Sequence, residues 1–345
     1  MAHRVLIVDD SPLYRLRLAQ IVSTSDQLQL VGLASDGREA IRLIEERQPD
    51  LVVLDLEMPE IGGISVLRWA MKNNPVPVVI CSGLATSQIV FQALDLGAVD
   101  FVTKPELRYA MRSEQFATNL RFRLEAAAQA RVQREAKRAS GSIIAATELA
   151  RKHSTSVGLV GIIGSAGGPT AVARLIRALP SSCTFPIIIA LHMPAGFTRS
   201  FAERLTRTGR LEAREARNGD RLLPSRIYVA PGGWQTSVSA DQQGALSLRV
   251  RPALDEDAFA PSADLLLTSM AQTCGSKSVC VVLTGMGEDG LRGAQAIRDS
   301  GGMVLVESRE SALVWGMPRA VAEAGLASAE LDLSSIATAL SLLCD

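Results

Sequence analysis

The chain is poor in aromatic residues, 4% of 345, and in cysteine, with five and no C-x-x-C pair. It also has no excess of charge: 36 Lys+Arg stand against 36 Asp+Glu. That balance argues against a protein that coats nucleic acid or anionic membrane with a basic surface. An odd number of cysteines without close pairs suits reduced thiols in a cytoplasm rather than a disulfide framework. No segment reads as a membrane span. The longest uncharged apolar stretch, Val157 to Ala173, is broken by five glycines and Pro169, whereas a span needs about 20 mostly apolar residues. The N-terminal Met1-Ala2-His3-Arg4 runs straight into a strand-like segment and lacks a signal-peptide cleavage pattern. The expectation is a cytoplasmic chain of 47% hydrophobic residues, long enough for two domains at roughly 100–200 residues each.

From residue 1 to about 105, apolar runs alternate with amphipathic stretches. The strand-like runs are Val5–Val8, Leu28–Leu33, Leu51–Leu54, Val78–Cys81 and Val99–Val102; helical patterns such as Leu13–Val22, Arg38–Glu46, Ile64–Asn73 and Gln88–Asp95 lie between them. This alternation predicts a parallel sheet with helices on both faces. Five strands is the flavodoxin-like count. The texture then changes. Arg121 to Arg138 carries six basic and two acidic residues with five alanines, and Ser140-Gly141-Ser142 breaks it. The pattern predicts a first domain over residues 1–120 and a helical, mobile linker over 121–156. A second domain follows over 157–345. Its candidate strands are Val157–Ile163, Ile187–Leu191, Ile227–Ala230, Ser278–Thr284 and Met303–Val306, with Gln235–Val250 reading as a hairpin through Asp241–Gly244. The fold class is therefore α/β throughout, the second sheet mostly parallel with a small antiparallel hairpin.

Asp9 and Asp10 follow the first predicted strand, Asp55 the third, Ser82 ends the fourth and Lys104 follows the fifth. The carboxyl ends of parallel strands converge at one edge, beside the switch point where ligands bind. Three carboxylates gathered there need a cation, and hard oxygen donors suit Mg²⁺. A hydroxyl and an ammonium at the same edge suit an oxyanion, such as a phosphoryl group on one carboxylate. Leu6-Ile7-Val8-Asp9-Asp10-Ser11, Leu54-Asp55-Leu56-Glu57-Met58-Pro59 and Phe101-Val102-Thr103-Lys104-Pro105 resemble the response-regulator receiver domain. The resemblance implies that Asp55 accepts phosphate from a histidine kinase, and that Asp9, Asp10, Asp55 and the Glu57 main-chain carbonyl hold Mg²⁺. It further implies that Ser82 and Lys104 sense the phosphoryl group and that Phe101 is the switch aromatic.

In the second half, Gly164-Ser165-Ala166-Gly167-Gly168-Pro169 joins a strand to an amphipathic helix, Ala171–Leu179. Such a turn fits either a nucleophilic serine beside a helix N-terminus or a phosphate-binding loop. His192 ends the Ile187–Leu191 strand; of the two other histidines, His3 precedes the first strand and His153 lies in the polar linker. A strand-end histidine serves as a general base or as a structural hydrogen-bonder. Val279–Leu283 runs into Thr284-Gly285-Met286-Gly287-Glu288-Asp289-Gly290, where Asp289 could accept from a histidine ring. If these strands are neighbours, Ser165, His192 and Asp289 meet as nucleophile, base and orienting carboxylate.

These segments, with Met193-Pro194-Ala195-Gly196-Phe197-Thr198-Arg199-Ser200-Phe201 and Trp315-Gly316-Met317-Pro318, resemble the CheB family of chemotaxis protein-glutamate methylesterases. The likeness runs from about residue 157 to 327, and the order of receiver then esterase matches too. It implies a Ser165–His192–Asp289 triad, the Met286 N–H as oxyanion hole, and no cofactor for the esterase. The implied reaction is hydrolysis of γ-glutamyl methyl esters on the cytoplasmic helices of a chemoreceptor, with methanol released and receptor glutamines as further substrates. The implied phosphodonor is a chemotaxis-type histidine kinase, and neither nucleic acid nor direct membrane insertion is expected. Several positions depart from the family's usual residues: Ile163 for glycine, Leu191 for glutamine, Gln235 for histidine, Phe259-Ala260 for His-Arg, and Glu307-Ser308 for Gln-Asp or Gln-Asn. Two explanations compete: a cleft reading another protein substrate, or a catalytically weakened, phosphorylation-gated binding module. A serine peptidase shares the triad, but nothing suggests a pro-segment or an extended cleft. A transcription factor is excluded, since no helix-turn-helix pattern follows Lys104.

Overall fold

The computed structural model describes residues 2–83, 86–106, 109, 113–130, 147, 148 and 157–344. The chain divides into two compact units, Met1–Arg134 and Glu135–Asp345. In the first, strands β1 (His3–Val8), β2 (Leu28–Ala34), β3 (Leu51–Leu54), β4 (Val78–Ser82) and β5 (Asp100–Thr103) form one sheet in the order β2-β1-β3-β4-β5. Every pairing in it is parallel. This is the flavodoxin-like order, reversing direction between β1 and β3. The helices are α1 (Pro12–Ser23), α2 (Gly37–Arg47), α3 (Gly63–Asn73), α4 (Ser87–Asp95) and α5 (Glu114–Ala128). Their starts are written locally: the Ser11 hydroxyl accepts from the Tyr14 N–H ahead of α1, and the Asp36 carboxylate accepts from the Arg38 and Glu39 N–H groups ahead of α2. α1 packs against α5, and α2 against α3, so the apolar runs of β3 and β4 are buried along their whole length.

The predicted linker start at 121 falls inside α5 and is corrected by its packing. Leu120, Arg123, Leu124, Ala126 and Ala127 are buried, and Arg123 Nη1 pairs with the buried Asp100 Oδ2 at 2.6 Å. Within α5 the basic residues Arg121 and Arg123 flank an apolar stripe, and Arg123 is an interior partner. The rest of the expected linker, 131–146 and 149–156, lies outside the described residues.

The second unit holds β6 (Leu159–Gly164), α6 (Gly168–Ala178), β7 (Ile187–Leu191), α7 (Phe197–Thr208), β8 (Glu212–Glu215), β9 (Arg226–Val229), β10 (Trp234–Ala240), β11 (Leu246–Pro252), α8 (Ala263–Cys274), β12 (Ser278–Val282), α9 (Leu291–Asp299), β13 (Met303–Glu307), α10 (Met317–Glu323), β14 (Ala329–Leu331) and α11 (Leu333–Leu343). Seven strands form a sheet in the order β14-β13-β12-β6-β7-β9-β8, again parallel at every pairing. The predicted hairpin is β10–β11, in antiparallel register from Trp234↔Pro252 to Ala240↔Leu246. It turns on the Asp241 carboxylate, which accepts from the Gln243 and Ala245 N–H groups. The two sheet-edge strands, β8 and β14, were not legible. They are four and three residues long, and charged residues interrupt them.

One expectation is overturned. The cysteines are not all reduced thiols: Cys183 and Cys344 form a disulfide, their Cα atoms 4.2 Å apart across 161 residues of sequence. α11 packs on α6, which brings the residue after α11 against the loop that follows α6. Cys81, Cys274 and Cys280 are free. Among the described residues no helix is long and apolar enough to cross a membrane.

The Arg123–Asp100 pair ties α5 to the first sheet. Breaking a buried ion pair by removing one partner is strongly destabilising, so Asp100→Ala is expected to cost about 3–5 kcal/mol. Urea unfolding of the full chain reads this; a transition coincident with that of the parent would show that the pair carries no such weight.

Candidate functional site

At the carboxyl edge of the first sheet, Asp9, Asp10 and Asp55 each offer an oxygen, all within 4.8 Å of one another. Asp9 and Asp55 are buried, whereas Asp10 is exposed. Lys104, after β5, reaches both buried carboxylates: its Nζ lies 2.6 Å from Asp9 Oδ2 and ion-pairs with Asp55 Oδ2. The ammonium also sits 4.7 Å above the Tyr14 ring, whose hydroxyl donates to the Pro105 carbonyl. Burial pushes the Asp9 carboxyl up, and the nearby Lys104 offsets only part of that rise. Burial draws the Lys104 ammonium down, but Asp55, Cys81 and Asp9 outweigh it and hold it above its ordinary value. The Cys81 thiol beneath is pushed up to about 12 by burial.

The Ser82 hydroxyl is buried at this edge with no hydrogen-bond partner among the described residues. Phe101 is buried on β5 beside Ile80 of β4. Glu57 donates its N–H to Asp55 Oδ1 at 3.2 Å. An all-oxygen carboxylate set, one member open to solvent, fits Mg²⁺ with part of its water shell. The orphaned Ser82 hydroxyl and the Lys104 ammonium fit a phosphoryl group beside it.

The second sheet reverses its strand order between β6 and β12, and the other cluster gathers there. Gly164 of β6 and Leu191 of β7 are register partners, so Ser165 and His192 each follow directly on adjacent strands. The His192 N–H donates to the Gly164 carbonyl at 3.3 Å. Ser165 is buried in a tight turn: its N–H donates to the Thr284 carbonyl at 3.0 Å, and its carbonyl accepts from the Gly168 N–H at 2.8 Å. Gly285 must be glycine, because a Cβ there would stand 2.8 Å from Ser165 N and 2.9 Å from Ser165 Cβ. The Gly285 carbonyl accepts from the Gly316 and Met317 N–H groups, which pins the turn that presents Met286. None of the hydrogen bonds among the described residues uses the Met286 N–H.

Asp289 completes the cluster. Its Oδ2 lies 2.8 Å from His192 Nε2 and accepts the Ala263 N–H at 2.7 Å. Its Oδ1 accepts from the Ser262 hydroxyl at 3.0 Å and from the Asp264 N–H at 2.9 Å. The carboxylate thus occupies the N-terminus of α8, where unpaired N–H groups and the helix dipole favour a negative charge. Burial pushes the Asp289 carboxyl up; the His192 hydrogen bond and the α8 N–H groups outweigh it and hold the carboxyl below its ordinary value. Asp264 repeats the arrangement in reverse, its Oδ1 accepting from the Gly290 and Gly293 N–H groups at the start of α9. Sequence reasoning did not give Ser262 and Asp264 this part. Their signal is a serine cap with an acidic residue in the first turn ahead of an apolar run.

The departures from the resembled family cluster around these atoms. Ile163 is buried, and its Cδ1 would lie 2.3 Å from a Cβ at Gly290, which has φ +103°. Leu191 lies against Gly164 and Gly168 of the serine turn. Phe259 stacks on His192, with ring centroids 4.4 Å apart and planes 6° from parallel. Glu307 is buried beneath the Thr284 turn, its Oε2 accepting the Thr284 N–H at 2.8 Å and its Oε1 the Ser311 hydroxyl at 2.8 Å.

Comparison with known proteins finds matches over both units. A family model described as CheB methylesterase matches residues 160–340, and one described as response regulator receiver domain matches residues 5–114. A Pseudomonas aeruginosa protein named protein-glutamate methylesterase/protein-glutamine glutaminase 2 is 39% identical over 338 residues, covering 97% of this chain and 95% of that one. A Saccharophagus degradans protein, named protein-glutamate methylesterase/protein-glutamine glutaminase 1, is 38% identical over 363 residues, covering 97% of this chain and 98% of its own. The crystal structure of the Thermotoga maritima CheB methylesterase catalytic domain is similar, with a TM-score of 0.52 at 35% identity. It covers 55% of this chain and 100% of that domain.

Burial raises the Glu307 carboxyl above its ordinary value despite the Thr284 and Ser311 hydrogen bonds. A carboxyl raised in the folded state contributes stability that is full in acid and is lost as pH rises through the raised value. Glu307→Gln lacks that dependence, so its stability relative to the parent should grow as pH climbs from about 5 to about 8. Urea midpoints at several pH values measure the gap; a gap constant across the window would refute the assignment.

Proposed function

The chain belongs to the CheB methylesterase family, with a response regulator receiver domain ahead of the esterase, and from that premise we propose that it is a phosphorylation-activated hydrolase removing methyl esters from glutamate side chains of chemoreceptor-type proteins. The His192–Asp289 hydrogen bond, beside the turn that carries Ser165, is the observation on which the mechanism rests. With Nε2 engaged by Asp289, Nδ1 is the ring nitrogen that takes a proton. Ser165 Oγ attacks the ester carbonyl carbon and passes its proton to Nδ1 of His192. The tetrahedral oxyanion is stabilised by the Met286 N–H, which needs no reorganisation to meet it. Collapse breaks the C–O bond, His192 returns the proton, and methanol leaves. Water, activated by the same imidazole, then hydrolyses the acyl-serine to free glutamate. Asp289, held low by the His192 hydrogen bond and then by the α8 N–H groups, stays ionised and balances the imidazolium at both proton transfers. A glutamine amide would follow the same route with ammonia as the leaving group.

In the receiver, Asp55 accepts phosphate from a chemotaxis-type histidine kinase. Asp9, Asp10, Asp55 and the Glu57 carbonyl would hold Mg²⁺, which when bound offsets the negative charge of the transferring phosphoryl group. Lys104 and Ser82 take its oxygens, the hydroxyl gaining the partner it otherwise lacks. Phe101, buried on β5, reports the change as the switch aromatic. The protein acts in the cytoplasm on the cytoplasmic helices of the receptor.

Methanol release from methylated receptor membranes tests the reading. Ser165→Ala should lose at least ~10³-fold in rate while keeping its unfolding transition; ordinary turnover would remove Ser165 from the mechanism. A small-molecule phosphodonor with Mg²⁺ should raise the parent's rate and leave Asp55→Asn unstimulated. Equal stimulation of both would place the phosphorylation site elsewhere.

A further inference from the structure

The His192–Asp289 hydrogen bond restrains one edge of the imidazole. A second restraint acts on its face. Phe259 lies flat against the ring, centroids 4.4 Å apart and planes 6° from parallel. A phenyl face at that spacing restricts the tilt of the imidazole, and with it the direction in which Nδ1 points.

Phe259 lies in the loop between β11 and α8, and residues at the start of β10 hold that loop by hydrogen bonds. The Gln235 Nε2 donates to the Phe259 carbonyl at 2.6 Å, and Gln235 Oε1 accepts the Ser262 N–H at 2.9 Å. The Gly233 N–H donates to the Ala260 carbonyl at 3.0 Å. Gln235 is 2% exposed, so its amide is spent on this loop alone among the described groups it bonds. The loop it clamps delivers both restraints: Phe259 to the face of His192, and the Ser262 hydroxyl and α8 N–H groups to Asp289. Both Gln235 and Phe259 are positions where this chain departs from the residues usual in the family it resembles. At Phe259 a stack takes the place of a polar side chain, and the Gln235 amide holds the loop that carries it.

We propose that Gln235 and Phe259 are a coupled pair of positioning residues that set the plane of the His192 ring; the proposal rests on the Ser165–His192–Asp289 reading above. A stacked aromatic pair contributes enough beyond its buried area to change a rate a few-fold to tenfold. A restraint on ring orientation acts after substrate is bound, so it enters kcat and leaves KM.

The test is steady-state methanol release from methylated receptor membranes by the full chain, with thermal midpoints measured alongside. Phe259→Leu should lower kcat about threefold to tenfold at the parent's KM and melting temperature. Phe259→Tyr keeps the ring and should recover most of that loss. Gln235→Glu keeps the acceptor for Ser262 but removes the donor to Phe259, and should lower kcat by a similar factor. Because both act through one loop, Phe259→Leu with Gln235→Glu should fall no further than the worse single variant. A Phe259→Leu enzyme with the parent's kcat, beside an inert Ser165→Ala control, overturns the positioning role and leaves the triad standing. Losses that appear in KM or in melting temperature instead, or that simply add in the double variant, overturn it as well. A Ser165→Ala control that turns over normally removes the triad and the proposal together.

Discussion

Asp289 accepts four hydrogen bonds, from the His192 ring, the Ser262 hydroxyl and the Ala263 and Asp264 N–H groups. An ionised carboxylate buried without partners would be costly enough to protonate or to unfold its surroundings. Here the His192 ring and the N-terminus of a twelve-residue helix supply the compensation, and together they hold the carboxyl low. The dependence runs both ways. The helix start needs an anion at its unpaired N–H groups, and the imidazole needs a fixed acceptor. Asp264 extends the chain of constraints to the next helix, because its carboxylate caps α9. The β12–α9 turn, the start of α8 and the orientation of His192 are therefore one electrostatic unit.

Both sheets place their chemistry at a reversal of strand order. In the first, β1 and β3 bring Asp9 and Asp55 together, and Lys104 arrives from the far side of β4 to bridge them. In the second, β6 and β12 bring the Ser165 turn against Thr284 and Gly285. At such a point the flanking connections leave in opposite directions, which opens a crevice that polar side chains can line without losing water altogether. The two clusters differ in how they settle their charge. The first holds two buried carboxylates against one ammonium, which leaves one negative charge unbalanced. The second holds a single carboxylate that is satisfied within the protein.

Four of the residues that distinguish this chain around the triad support the site's framework directly. Ile163 fills the space beside Gly290, Leu191 packs on the serine turn, Phe259 covers His192, and Glu307 takes the Thr284 N–H. Each touches the backbone or ring that presents a member of the cluster. At Leu191 and Phe259 an apolar side chain stands where the resemblance leads one to expect a polar one, and at Glu307 a buried carboxyl stands in place of an amide. The framework of the site is thus supported from behind by packing.

Much of this was legible in the linear chain, for definite reasons. Apolar runs of four to six residues between amphipathic segments can be buried only as parallel strands covered by helices, which gave the inner strands of both sheets and the hairpin. Acidic, hydroxyl and ammonium residues at successive strand ends must converge at one edge, which gave Asp9, Asp10, Asp55, Ser82 and Lys104. The same reasoning gave Ser165, His192 and Asp289. Other features have no local signature. The edge strands β8 and β14 are too short and too charged to carry a period, and exist because a neighbour offers unpaired backbone groups. Arg123 reads as one more solvated base until α5 folds over Asp100. Cys183 and Cys344 read as separate thiols until α11 packs on α6. Phe259 looks like lost polarity, and Gln235 like an unrelated change, until a hairpin and a loop from different parts of the chain meet beside the imidazole. Periodicity and strand-end residues are properties of neighbours in sequence, so the sequence determined them. Pairing across long loops depends on which faces meet once the core is buried, and only the tertiary structure decided that.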